Sequence, residues 1–267
     1  MGKNKLTNII LTVFLLFFSN LSYGQNEFEL NKTRELIITG ISSSLLITSL
    51  YLEHKQPQIT LKDIENLNPN KLNSLDRRAT QYFSEDLSSV SDYLLYTSIS
   101  LPILFSFIPK TQKELNELGI MYLETLSLTY GLTNLTKNLT HRYRPYVYNK
   151  DVPIVKKLDS DSRKSFFSGH TSFAFASSIF FAKIISQYSI SKQTKNLIWA
   201  GSISLATSVG LLRYFSGYHF PSDIFAGAIM GGFIGYFIPE IHKTNNLYLY
   251  PMSDSEEVVI LFRLLLN

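Results

Sequence analysis

Lys137 and Arg144 stand seven residues apart, two helical turns, and would share one face of a helix running through both. Pro145 biases Arg144 away from the α region, so the helix should end about there and present Arg144 from a turn, near where Lys137 points. Two cations aimed at one point suit a dianion; a solvated basic helix end, stabilised by the dipole, has the same pattern. His141 and Arg142, between them, read as solvated neighbours without a role. In a second segment, Ser168-Gly169-His170-Thr171 opens an apolar helix. A helix start leaves backbone N–H groups unpaired, which makes an anion site, and Gly169 lets the backbone approach closely. His170 could protonate a leaving oxygen there, although Ser or Thr before a helix is also an ordinary cap. In a third segment, Arg213 offers a planar fork for phosphate oxygens, and Asp223 follows His219 by four residues. That spacing lets the carboxylate accept a hydrogen bond from one imidazole nitrogen and leave the other free to attack. A His–Asp pair that merely links helix ends is the competing reading.

Taken together, the segments supply one Lys, two Arg, two His, one Asp and a helix N-terminus. Metal-free phosphoryl transfer requires that set: cations to neutralise the equatorial oxygens, one His to attack and another to protonate the leaving group.

The order and spacing resemble the type 2 phosphatidic acid phosphatase (PAP2) superfamily, which also includes bacterial acid phosphatases and vanadium haloperoxidases. The family's first motif, Lys, six residues, Arg-Pro, is matched by Lys137, Arg144 and Pro145. Its second, Pro-Ser-Gly-His, is matched by Ser168, Gly169 and His170, with Phe167 where the family has Pro. Its third, Ser-Arg, five residues, His, three residues, Asp, is matched by Arg213, His219 and Asp223, with Leu212 in place of Ser. The resemblance spans residues 90–240. It implies that His219 is the nucleophile, that Asp223 orients it and that His170 is the general acid. It also implies that Lys137, Arg144, Arg213 and the backbone at Ser168 and Gly169 hold phosphate. The two departures put the shape of one turn and an auxiliary hydroxyl in doubt, and substrate choice with them.

The elements that must position these residues are apolar. Hydrophobic residues make up 45% of the 267-residue chain and charged residues 17%, below the roughly 25% of soluble domains, so the composition leans toward membrane. The net charge of +4 suits an anionic substrate or membrane surface, and a routine basic balance equally. No nucleic-acid motif is present. Absence of cysteine excludes disulfides, thiolate zinc sites and cysteine nucleophiles. The histidines, His54, His141, His170, His219 and His242, show no i, i+4 metal spacing. No metal or cofactor is implied.

Apolar runs at residues 36–52, 93–108, 118–135, 171–185, 197–212 and 224–238 predict an all-α bundle of about six helices. At about 15 to 18 residues each they overlap with buried helices of a soluble bundle, so how many span is open. The division expected is a signal peptide at 1–24, an N-terminal helix and polar loop at 25–91, a phosphatase core at 92–244 and a C-terminal β appendage at 245–267. Lys3, Lys5, the apolar run 9–18 and the small residues Ser22 and Gly24 carry the signal-peptide reading. Residues 247–250 and 258–266, flanking a polar turn, carry the hairpin reading.

The function expected is hydrolysis of a phosphomonoester or terminal pyrophosphate through a phosphohistidine. A lipid substrate is favoured (phosphatidic acid, polyprenyl pyrophosphate or lipid A), because the site sits at the ends of apolar helices. The partners are thus a phosphorylated lipid or other phosphate ester and the membrane, with no nucleic acid. The expected location is exported and membrane-associated, with the site facing the periplasm or outside. Three apolar runs between an exported Gln25 and Lys137 would bring the first motif to the cytoplasmic side, so one run must not span. The Ser-rich run 36–52 is the first choice, and 118–135, with Glu124, the second. A soluble acid phosphatase, a vanadate-dependent haloperoxidase and a non-enzymatic binder of anionic lipid are the rival readings.

Overall fold

A computed structural model describes residues 27–188 and 190–244. The expected signal peptide and C-terminal hairpin lie outside the described residues. Six long helices dominate: α1 (Lys32–His54), α2 (Glu85–Ser100), α3 (Leu115–Thr140), α4 (Gly169–Gln187), α5 (Lys192–Phe215) and α6 (Pro221–Ile241). A 3-10 turn, Leu101–Phe107, extends α2. The described residues contain no strand, only an isolated bridge between Phe28 and Lys243. The all-α bundle expected from the apolar runs is thus what forms.

Helix α4 is the centre. It packs against α6, α5, α2 and α3, while α1 lies outside, against α3. Its sequence explains the position: from Thr171 to Ala182 it carries no charge, and Ala174, Ala176, Ser177 and Ser178 are fully buried. Small side chains let helix backbones approach closely. The closest approach is to α6, where Gly227, Gly231 and Gly235 recur every fourth residue and face α4. A Cβ on Gly231 would lie 2.0 Å from the Ser172 carbonyl oxygen, and one on Gly235 2.2 Å from that of Ala176.

Polar caps set where the helices begin. Asn31, Ser84, Ser168 and Ser191 each accept a backbone N–H from the first turn of α1, α2, α4 and α5, contacts worth about 1 kcal/mol apiece. Pro221 occupies the first turn of α6, where no N–H is needed. Helix α3 ends at Thr140, with His141 left-handed at φ 47°, four residues before Pro145. Lys137 and Arg144 therefore do not share a continuous helix. Arg144 is extended and precedes a short turn, Pro145–Tyr148.

Consecutive long helices alternate in direction. The ends of α1, α3 and α5 and the starts of α2, α4 and α6 gather at one end of the bundle, together with the segments 55–84, 141–168 and 216–220. The polar segment 55–84 forms short turns, Leu61–Glu65, Pro69–Lys71, Ser74–Arg77 and Arg78–Gln81, over this end.

Among the described residues, three helices are long and apolar enough to cross a membrane: Lys32–His54, Glu85–Phe107 and Pro221–Ile241. Their outer faces carry large exposed apolar side chains, among them Leu36, Ile47, Tyr93, Phe107, Phe225 and Phe233. Contiguous apolar surface of this kind marks a membrane protein. The Ser-rich run 36–52 is thus as fit to span as the others. Its Ser42 and Ser49 turn inward, Ser42 toward Ser127 and Ser49 toward Asn138.

Candidate active site

All three motifs meet at the gathered end of the bundle. His219 lies in the turn between α5 and α6 and is 1% exposed. The turn depends on Gly217, whose φ of 75° favours glycine and whose missing Cβ admits the Tyr82 carbonyl. The N–H groups of Tyr218 and His219 both donate to the Arg213 carbonyl, at 3.1 and 3.2 Å, so the end of α5 fixes the turn.

Arg144 Nη1 lies 3.1 Å from His219 Nε2. A guanidinium only donates, so Nε2 is the acceptor and the ring proton sits on Nδ1. Nδ1 faces Asp223 Oδ2 at 3.7 Å, too far for a hydrogen bond. The hydrogen bond expected from the i, i+4 spacing is therefore not formed in this state. Asp223 is engaged elsewhere: it accepts from Arg142 Nη1 (2.5 Å), Ser165 Oγ (2.5 Å) and the Phe220 N–H (2.9 Å). Arg142 is no solvated neighbour, because it also reaches Asp76 Oδ2 at 2.7 Å. Asp76, fully buried, accepts from Ser222 Oγ and the Ser222 N–H as well. The stretch 55–91 thereby gains a function: it anchors the start of α6.

Three cations surround His219. Arg144 is 4% exposed and is held by Asp161, whose carbonyl takes Nε (2.9 Å) and whose Oδ1 takes Nη2 (2.8 Å). Arg213, 3% exposed, donates from Nη1 to Ser88 Oγ at 2.8 Å, while its buried Nε has no hydrogen-bond partner among the described residues. Its guanidinium lies over the Tyr218 ring at 4.3 Å, which fixes its plane. Lys137 stands over Gly169, its Nζ 3.3 Å from where a Cβ would be. Glycine at 169 thus clears the lysine's path. Burial, then Arg144, pushes the Lys137 pKa down to about 7. His219 is held neutral by complete burial first and by Arg144, Arg213, Lys137 and His170 after it, with its pKa well below the ordinary histidine value.

Helix α4 begins at Gly169, so the N–H groups of Gly169 and His170 have no intrahelical acceptor. The Ser168 N–H, by contrast, donates to the Asp223 carbonyl at 3.0 Å, and Ser168 Oγ is engaged with Thr171. The amides left open at this helix start are therefore those of Gly169 and His170, and Ser168 acts as cap and tether. His170 Nε2 pairs with Asp92 Oδ1 at 2.7 Å, and the same oxygen lies 3.6 Å from Arg213. Burial, then Arg213, Lys137 and Arg144, pushes the His170 pKa well down.

Every site residue expected from the sequence is brought to this one cluster. Asp92 and Ser88, one turn apart on α2, and Asp76, Asp161 and Ser165 join the cluster with no signal in the sequence, and Arg142 joins it against its reading as a solvated neighbour. Chemically, the cluster joins three cations, two free amides, a neutral buried imidazole and a second imidazole paired with a carboxylate. It can bind a tetrahedral dianion and attack it.

The PAP2 superfamily profile matches residues 118–247. The chain is similar to a solved structure described as the first transmembrane PAP2-type phosphatidylglycerolphosphate phosphatase from Bacillus subtilis. The identity is 20% and the TM-score 0.42, over 74% of this chain and 93% of that one. No curated protein matches the chain. Over residues 118–247, which hold all three motifs, the chain belongs to the PAP2 superfamily.

Proposed function

We propose that the protein hydrolyses a phosphomonoester or terminal pyrophosphate on a lipid, with His219 as nucleophile and a phosphohistidine intermediate. The observation that carries this reading is the convergence of Lys137, Arg144 and Arg213 on a buried neutral His219 beside the open N-terminus of α4. Family membership supports the phosphatase class. The exposed apolar faces of α1, α2 and α6 support a substrate that arrives from the bilayer.

In the first step, His219 Nε2 donates its lone pair to phosphorus and the P–O bond to the leaving group breaks. Arg144 must pass its N–H from Nε2 to a phosphate oxygen as the dianion enters. The imidazolium formed carries its charge beside Asp223, and closing the 3.7 Å gap makes the missing hydrogen bond. His170 gives its proton to the departing oxygen. In the second step, His170 takes a proton from water, the water oxygen attacks phosphorus and the P–N bond breaks. Phosphate leaves, and both histidines return to their starting states. Burial first, and then Arg213, Lys137 and Arg144, lower the His170 pKa, and a bound dianion offsets the charge of those cations, so substrate itself favours the protonated acid. No step uses a metal or cofactor.

The test is phosphate release by detergent-purified protein, with chelator present, from a panel of lipid and soluble phosphates. Release from a lipid phosphate that exceeds release from small soluble esters is expected. Release from soluble esters alone would remove the lipid reading.

Asp92 enters as a positioning residue for His170. Asp92→Asn removes the carboxylate that favours the imidazolium, so the pKa of His170 falls and its acid form is lost earlier as pH rises. The expected result is a kcat lower by about 10- to 100-fold, a smaller change in KM, and an alkaline limb of the pH profile moved to lower pH. A variant that lost activity with an unmoved profile would show a purely structural role.

The orientation is linked to the course of α1, which runs from the end holding Glu27 and His242 toward the site. If α1 crosses, a site facing outside places Glu27 on the cytoplasmic side, and an exported Glu27 places the site inside. We propose the outward site, as the family resemblance implies. The cysteine-free chain allows a direct check with Ser160→Cys, an exposed position at the site end. A membrane-impermeant maleimide should label it in intact cells; labelling only after lysis would reverse the orientation.

A further inference from the structure

At the end of the bundle away from the active site, α1, α3 and the residue after α6 bring together Glu35, Glu124 and His242. His242 lies 19 positions after Asp223, about 28 Å along α6. One nitrogen or oxygen from each of the three side chains lies within 4.8 Å of the others. All are buried, at 2%, 6% and 0% exposure.

Each group is oriented by its surroundings. His242 Nδ1 lies 2.8 Å from the Ile238 carbonyl and donates to it, which turns Nε2 inward. Nε2 is 3.1 Å from Glu35 Oε2 and 3.2 Å from Glu124 Oε2. Glu35 Oε1 is fully engaged by the Asn31 N–H and by Nε and Nη2 of Arg34, at 2.9, 3.1 and 2.9 Å, so Oε2 alone is directed inward. Glu124 differs: its Oε2 faces His242 Nε2, and its buried Oε1 accepts no hydrogen bond among the described residues. A buried carboxylate oxygen left without a partner is costly. Protonation of His242 offers one proton to two carboxylates and still leaves Glu124 Oε1 bare.

We propose that Glu35, Glu124 and His242 bind one divalent transition-metal ion of the zinc class, which ties α1, α3 and α6 together at this end. One imidazole and two carboxylates suit such an ion, and thiolate-seeking metals find no ligand here. A histidine whose second nitrogen donates to a backbone carbonyl is the usual outer-shell arrangement of a metal ligand. The ion bears on the fold, not on the phosphoryl chemistry, and the inference stands independently of the proposed activity.

The experiment uses full-length, untagged protein in detergent, stripped with chelator and titrated with Zn²⁺ and with Co²⁺. The expected result is one ion per chain, visible Co²⁺ absorption from an inner-sphere site, and a higher Tm with Zn²⁺. Glu124→Gln should weaken binding by more than about 100-fold, beyond what outer-shell changes cause. The chain has no cysteine, so thiolate binding cannot mimic the signal. No stoichiometric binding by the wild-type chain would overturn the proposal whatever the variant does. Equal binding by wild type and Glu124→Gln would overturn it too.

Discussion

His219→Ala should reduce phosphate release by on the order of 10⁴-fold or more, the scale of losing a nucleophile. The loss should fall on kcat and on kcat/KM alike, because Lys137, Arg144, Arg213 and the α4 amides still bind phosphate. The fold should survive. Arg144 loses its Nε2 contact but keeps Asp161 and the Tyr218 carbonyl, and the turn itself is held by backbone bonds to Arg213. Removing a fully buried imidazole leaves a cavity, so a Tm lower by several degrees accompanies the loss. Steady-state kinetics on a folded variant checks this, and activity within tenfold of wild type would remove His219 from the chemistry.

Gly231→Ala should destabilise the bundle by about 3 kcal/mol, the upper range for overpacking. The reason is what the new Cβ meets: the Ser172 carbonyl oxygen at 2.0 Å, its carbon at 2.7 Å and its Cα at 2.8 Å, all backbone. No rotamer change relieves that clash, so α4 and α6 must separate. For a domain of this size the Tm should fall by roughly 6–12 °C. Activity should fall as well, since α4 presents Gly169 and His170 while α6 begins with Asp223. Gly40→Ala is the internal control: nothing lies within 4 Å of its Cβ position on α1. Alanine there should stabilise by up to about 1 kcal/mol. Thermal unfolding in detergent separates the two, and equal shifts would refute the close-packed α4–α6 contact.

The sequence carried the site's reactive residues because their relations are local. His219 and Asp223 lie on one turn, Ser168 caps the helix that Gly169 and His170 open, and Lys137 and Arg144 flank one helix end. Apolar runs located all six long helices for the same reason. The partners escaped because they come from far along the chain. Asp92 lies 78 residues before His170 and Asp76 lies 146 before Ser222, and no periodicity links them. Arg142 was legible only as a charge between two motif residues. The left-handed His141 turns the chain there and lets Arg142 reach Asp223 and Asp76. Glu124 looked like an obstacle to a membrane helix; with His242 and Glu35 around it, it faces inward. The 3.7 Å gap between His219 and Asp223 lay beyond any reading of spacing, because Asp223 is drawn toward Arg142 and Ser165.

The proposed hydrolysis requires a phosphoryl group to pass through His219. The most direct test is rapid quench of the enzyme during turnover into alkaline denaturant, where phosphohistidine survives, followed by mass spectrometric mapping. Phosphate on His219 in wild type, absent in His219→Ala and longer-lived when His170 is replaced, is the predicted result. Turnover with no phosphoryl group on the protein, or with one on another residue, would contradict it.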